Sequence, residues 1–444
     1  MTEPRGFELW ASPEPTIARI DATRTVDQLA LTGHDRRDGD VALLAALGAD
    51  ASRTPILWER AAPDEPARID LDWARRRLGL LAQSGLEPIV TLLHHGSGPR
   101  YTNLLDPAFP SLFADYADIV AREFPWVRRW TPINEPLTTA RFATLYGRWF
   151  PNLRDDRAFG RAMVHQTLAI LKGFARIRAH VPEAQLVLTE DLQRFVPGDE
   201  NARPYVEFLR DRMYLSVELV AGRVGPQHPQ GRFLIERCGV RPAELAEIRS
   251  RAVIPDLVAF NHYPHSERYL FTNEAGSLAD VPAVYVPGLE PPAAAALLSS
   301  AARRLSLPLA LGEVHVNAPA PERVRWLAQH VNDVHALRRT GIDIRAVGAW
   351  AAFGSWDWHS LLCTDAGVVE DGIYAFAGPV GVPQPTALSV AFGSLAEKGR
   401  LADEGVRGWW ERDDRFLEPD ELVARSTRGE PEGDHIISRY RAPV

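Results

Sequence analysis

The chain has 444 residues, 45% of them hydrophobic and 24% charged, with a formal net charge of −8. That balance fits a folded, enzyme-sized protein with a sizeable core and argues against disorder. The acidic excess offers no basic face, so nucleic acid is not an expected partner.

Lysine occurs at Lys172 and Lys398 alone, which leaves little scope for Schiff-base chemistry. Cys238 and Cys363 lie too far apart to suggest a disulfide framework or a zinc site. Residues 1–10 carry no apolar leader, and no stretch approaches the ~18 apolar residues of a membrane span. A soluble, cytoplasmic protein without membrane contact is expected.

Taken in order, short β-type runs alternate with helical patterns. Gly6–Trp10 comes first and Ala49–Arg53 second. Asp72 caps a helix that runs through Leu81 and stops near Gly85. The third run, Pro88–His94, holds the apolar string Ile89-Val90-Thr91-Leu92-Leu93. Ser111–Phe124 is helical, with Leu112, Tyr116, Ile119 and Val120 on one face, and leads to Arg129–Asn134. Phe159–His180 is the longest helix, apolar at Met163, Leu168, Leu171, Phe174 and Ile177. Gln185–Glu190, Asp256–Asn261, Leu307–Glu313 and Ala346–Trp350 complete a set of eight. Eight such strands predict an α/β fold, a (β/α)₈ TIM barrel, as one domain over residues 5–400. Residues 401–444 then form a polar tail that packs on the barrel or extends from it. A doubly wound open sheet is the alternative, but no G-x-G-x-x-G follows the first run.

The runs end in Arg53, His94, Asn134-Glu135, Glu190, Asn261, Glu313 and Trp350. In a barrel these ends share one mouth, so the scattered residues are expected to converge on a single pocket. His94-His95 does not suggest a metal site, because adjacent strand residues face opposite ways. No metal or cofactor is expected.

The string Trp130-Thr131-Pro132-Ile133-Asn134-Glu135-Pro136 resembles the T-x-N-E-P signature of family 1 glycoside hydrolases. Arg53-Thr54-Pro55-Ile56-Leu57-Trp58-Glu59-Arg60 is similar to that family's R-F-S-I-x-W-x-R. Thr91-Leu92-Leu93-His94-His95 resembles V-T-L-x-H-W, and Phe260-Asn261-His262-Tyr263 resembles I-N-Y-Y. The eighth run, Trp350 to Trp358, resembles W-S-L-x-D-N-x-E-W. The resemblance implies a retaining β-glycosidase with Glu135 as general acid/base and Glu313 as nucleophile. It implies that Arg53 and Tyr263 support Glu313 and that Asn134 bonds the sugar 2-hydroxyl. His94 and Asp357 would read hydroxyls, Trp350 and Trp358 would wall the sugar, and Glu190 would stand near the mouth. Two carboxyls suit this chemistry, since one protonates the leaving oxygen while the other attacks or stabilises the oxocarbenium-like centre. A separation of about 5–5.5 Å gives retention. The charge of Glu313 is expected to raise the pKa of Glu135.

The sequence departs from the family at several points. Leu309-Ala310-Leu311-Gly312-Glu313-Val314-His315 replaces the usual T-E-N-G context, and His95 stands where a Trp is usual. Gly354-Ser355 replaces D-N, and Asp357-Trp358 replaces E-W. The first strand leads into Ala11-Ser12-Pro13-Glu14-Pro15, without the family's sugar-reading Gln. Glu14 is expected to contact the glycone instead, with uronic acids as poor substrates. The pattern resembles the branch sometimes joined to a dTDP-4-dehydrorhamnose reductase-like domain. The expected partner is a small-molecule glycoside or oligosaccharide, hydrolysed or transglycosylated. A non-catalytic sugar-binding or regulatory barrel is the alternative function. Glycone, aglycone and oligomeric state stay open at this level.

Overall fold

The computed structural model describes residues 6–273, 275–401 and 405–412. Eight parallel strands close into a barrel: β1 (Glu8–Ala11), β2 (Ala51–Pro55), β3 (Glu87–His94), β4 (Arg129–Asn134), β5 (Gln185–Asp191), β6 (Leu257–His262), β7 (Leu309–Val314) and β8 (Ile344–Ala349). Closure runs through β1, whose Glu8 lies opposite Ala346 of β8 and whose Trp10 lies opposite Ala51 of β2. The expected eight runs are thus the eight barrel strands, each displaced by no more than two residues at either end. They read as apolar runs because the barrel interior buries one face and the helices bury the other.

The main helices are α1 (Asp72–Gln83), α2 (Phe109–Glu123), α3 (Asp156–His180), α4 (Arg203–Arg212), α5 (Ala294–Leu305), α6 (Ala320–Arg339) and α7 (Ala387–Lys398). Helix α3 starts before Phe159 because the Asp155 carboxylate accepts from Ala158 N at 2.7 Å, an N-cap that fixes the first turn. Inside the barrel, Trp10, Ala51, Ile89, Val187, Leu257, Ala259, Ala310 and Ala346 form a cluster built from strands alone. At the N-terminal end, Arg129 pairs with Glu8 at 2.5 Å and Glu87 at 2.6 Å. That ion triad and the apolar plug close the lower end and leave the C-terminal mouth open.

A three-stranded sheet of Arg194–Pro197, Glu267–Thr272 and Leu278–Pro282 sits outside the barrel and contributes to the mouth. Its short strands carry little periodic signal, and the sequence reading did not anticipate it. Of the expected tail, residues 405–412 return onto α6. Trp410 is buried edge-on against Trp326 with ring centroids 4.9 Å apart, and Glu411 pairs with Arg325 at 2.6 Å. The rest of that tail, 402–404 and 413–444, lies outside the described residues. Among the described residues no helix is long and apolar enough to cross a membrane.

Candidate active site

Glu135 follows the last residue of β4 and precedes the short helix Pro136–Ala140. Its backbone is left-handed, with φ of 42°, and Pro136 fixes the first helical φ directly after it. This abrupt strand-to-helix corner aims the carboxyl into the barrel mouth, where Asn261 Nδ2 donates to Oε1. Burial pushes the Glu135 carboxyl well above the usual range; the charges of Asp191, Glu313 and Glu190 add to that effect, in that order. The expectation that Glu313 raises this pKa holds in direction, but desolvation is the larger cause.

Glu313 lies on β7 where the register against β6 slips between Leu311 and Glu313. Such an irregularity re-aims a side chain. Gly312 sits at the slip, and a Cβ there would stand 2.9 Å from Asn261 Oδ1 and 3.1 Å from Ala259 Cβ. The close approach of Asn261 therefore explains a glycine where the family has threonine. Arg53 donates to Glu313 Oε1 through Nη1 and to Asn134 Oδ1 through Nη2. Tyr263 OH donates to Glu313 Oε2 at 2.5 Å.

Asn134 is held on both sides of its amide. Its oxygen also accepts from Thr189 Oγ1 at 2.9 Å, and its nitrogen faces His94 Nε2 at 3.1 Å and His95 Nε2 at 3.3 Å. Burial lowers the His94 pKa well below its ordinary value and that of His95 to about 3, with the Arg53 charge adding in both. Both imidazoles are therefore neutral. His95 corrects an expectation. It has left the strand with φ of 56°, so its ring turns to the same side as that of His94 and the alternation rule no longer applies. Among the described residues no cluster of three or more His, Cys, Asp and Glu could hold a metal ion.

Both glutamates line one cavity of about 470 Å³, together with Glu14, His94, Tyr263, Trp350 and Trp358. The two indoles meet at 79° with centroids 6.2 Å apart. Glu14 is buried, and both its oxygens accept from the protein: Oε1 from Thr16 N and Oε2 from Trp350 Nε1, each at 2.8 Å. Burial raises its pKa to about 7; the Thr16 hydrogen bonds oppose this, and the Glu313 charge adds to it. Arg53, Asn134 and Asn261 stand just behind the cavity wall and act on the residues that line it.

Two expected site residues do not reach the cavity. Asp357 is not a hydroxyl reader. Its carboxylate accepts from the backbone N–H groups of Ala366, Gly367 and Val368 at 3.1, 3.2 and 2.8 Å, and so ties down the loop after β8. Glu190 accepts from Leu137 N at 2.8 Å and holds the helix behind Glu135. The carboxyl at the mouth from this strand is Asp191, bonded by Ser266 Oγ at 2.5 Å. Strand alternation puts Asp191 on the face of Thr189, but only the Thr189–Asn134 hydrogen bond shows that this face is the mouth side. The reading also missed His95 and the pair His315–Glu370, whose Nε2 and Oε2 lie 2.9 Å apart against the cavity.

Comparison with known proteins agrees with this geometry. The profile described as glycosyl hydrolase family 1 matches residues 4–264. Thermostable beta-glucosidase B of Thermobispora bispora is 27% identical over 387 residues, covering 80% of this chain and 79% of that one. Beta-glucosidase 6 of Oryza sativa is 31% identical over 144 residues, 31% of this chain and 27% of that one. Beta-glucosidase A of Thermotoga maritima is 26% identical over 203 residues, 44% of this chain and 45% of that one. The alignments to these last two thus span less than half of either relative. The family 1 β-glucosidase structure from T. maritima superposes with a TM-score of 0.74 at 16% identity, covering 90% of this chain and 99% of that one. The profile stops short of Glu313, and the fold supplies that half of the site by setting Glu313 opposite the N-E-P corner. Matched over more than half its length, and with its strand-end carboxyls gathered in one barrel mouth, the chain belongs to glycosyl hydrolase family 1.

Proposed function

We propose that this protein is a retaining β-glycosidase that cleaves small β-linked glycosides by double displacement. The observation that carries this reading is the unequal setting of two carboxyls in one cavity. Glu313 lies between a guanidinium and a phenol, Arg53 and Tyr263, whereas Glu135 is buried beside the Asn261 amide with its pKa raised. The first is a carboxylate with its charge compensated, and the second is a proton donor.

In the first step Glu313 attacks the anomeric carbon while Glu135 gives its proton to the departing oxygen. The glycosyl ester formed on Glu313 is neutral, so one of the charges that disfavoured ionisation of Glu135 disappears. Glu135 then takes a proton from water, which attacks the anomeric carbon, breaks its bond to Glu313 and restores both residues. A second hydroxyl compound in place of water gives transglycosylation. Asn134, behind the cavity wall, is fixed by Arg53 and Thr189 and orients the two histidines, of which His94 reads a sugar hydroxyl. Trp350 and Trp358 wall the ring. When ionised, Glu14 accepts from donating hydroxyls of the glycone and repels an acidic sugar. The free thiols Cys238 and Cys363 suit a cytoplasmic location.

The two glutamates separate in a mutational test. Glu313→Ala abolishes turnover of every glycoside. Glu135→Ala keeps the first step for substrates with good leaving groups, which need no proton. Azide rescues Glu135→Ala with a β-glycosyl azide and Glu313→Ala with an α-glycosyl azide. Near-normal activity in both variants refutes the mechanism.

A further inference from the structure

The same cavity runs beyond the carboxyl cluster along the loops that follow β4 and β5. There it is lined by Arg141, Tyr146, Gln193, Tyr205 and Arg212. Arg212 ends α4 and is 5% exposed. Among the described residues its guanidinium has one hydrogen-bond partner, the Tyr146 hydroxyl 3.4 Å from Nη2, and no carboxylate. Its plane also lies 5.6 Å from the Phe208 ring centroid. A helix C-terminus favours a cation, but it supplies no full counter-charge. A buried guanidinium left without an anion is costly, and native proteins pair such charges. Arg141 stands on the same wall, 5.6 Å from the centroid of the Tyr146 ring that Arg212 touches, with Nη1 donating to Gln193 at 2.7 Å. Two guanidinium groups thus flank one tyrosine.

The position of this wall indicates which part of a substrate meets it. Glu135 protonates the leaving oxygen, and the wall grows from the loop after its own strand and from the next loop along. Of the acidic groups in the cavity, Glu14, Glu313 and Glu370 come from the segment after β1, from β7 and from the segment after β8, while Glu135 and Asp191 stand at the ends of β4 and β5, where the Arg141 charge already acts on Asp191 and Arg212 is the cation left for a ligand. We propose that Arg212, with Arg141 and Tyr146, forms a subsite for an anionic group, a carboxylate or a phosphate, on the leaving-group portion of the glycoside. A planar guanidinium beside phenol hydroxyls suits a bidentate oxyanion. This inference rests on the glycosidase reading for its direction along the substrate.

The test uses phenyl 1-thio-β-glucosides, which bind without being cleaved, carrying a para carboxylate, its methyl ester or a para phosphate. Calorimetry on the full chain is expected to show an anionic probe bound about ten-fold tighter than the ester, on the scale of one charge-assisted contact. The carboxylate and phosphate arms identify which anion the site takes. In Arg212→Gln the anion-to-ester ratio falls towards one, and in Arg212→Lys most of it returns. Equal affinity for all three probes, or no binding of any, overturns the subsite, as does a preference that survives Arg212→Gln. If Arg212→Gln does not fold, the wild-type ratio and the salt-insensitive part of the Arg212→Lys preference decide. Failure of the glycosidase reading looks different: the matching O-glycosides go uncleaved while the thioglycosides still bind.

Discussion

The Glu135 carboxyl is shifted towards its protonated form by a combination that no single residue supplies. Burial is the largest cause, and the neighbouring charge of Asp191 comes next, ahead of Glu313. A carboxyl whose pKa is raised stays protonated to higher pH, so the alkaline limb of kcat/KM belongs to loss of its proton. Asp191→Asn keeps an oxygen to accept from Ser266 and removes one of the charges that disfavour ionisation. The limb therefore moves to lower pH in this variant, measured as kcat/KM against pH with a poor leaving group. A limb that stays in place assigns it to another group. The order of these causes was not legible in the sequence, because Asp191 and Glu190 are adjacent and only strand alternation decides which one faces the mouth.

At the scale of elements, the departures from the family motif have local physical reasons. Gly312 follows from the slip of β7 and the approach of Asn261. Asp357 spans the loop after β8 by accepting three backbone N–H groups. Asp357→Ala removes three hydrogen bonds to backbone donors of exposed residues, each worth about 0.5–1.5 kcal/mol net of the water that replaces it. The net loss of stability is expected near 2–3 kcal/mol in urea unfolding, with faster proteolysis between residues 355 and 368. The relative rates on different sugars should stay the same, since Asp357 does not reach the cavity. A change of sugar preference without loss of stability would restore the hydroxyl-reading role. The motif match identified this loop, but the direction of one side chain within it depends on the left-handed backbone at Asp357, with φ of 54°.

For the whole molecule, buried titratable groups set the dependence of stability on pH. Burial raises Glu14 and Glu190 from 4.5 to about 7, and Glu59 to about 8. The folded protein then holds protons that the unfolded chain has released, so stability falls as pH rises from 4.5 through those values. Burial lowers His34 from 6.5 to about 4, and His95 and His330 to about 3. The unfolded chain binds protons there first, so stability falls as pH drops below 6.5. The opposing trends place the maximum on the weakly acidic side. The thermal midpoint should peak at roughly pH 5–6.5 and decline towards pH 8; a midpoint that climbs steadily to pH 8 contradicts these assignments. The sequence by itself determined the eight strands, because a barrel strand buried on both faces must be a short apolar run, and it determined Glu135, because the N-E-P corner is local. It identified Arg53, Tyr263 and Glu313 as separate strand ends. Only the tertiary structure decided that Arg53 joins Glu313 to Asn134 and that His95 turns into the mouth beside His94. It also decided that Asp191 replaces Glu190 there, and that among the described residues no carboxylate bonds the buried Arg212. Each of these depends on distances between residues far apart in the chain, or on the hand of one backbone angle, and neither is written in local pattern.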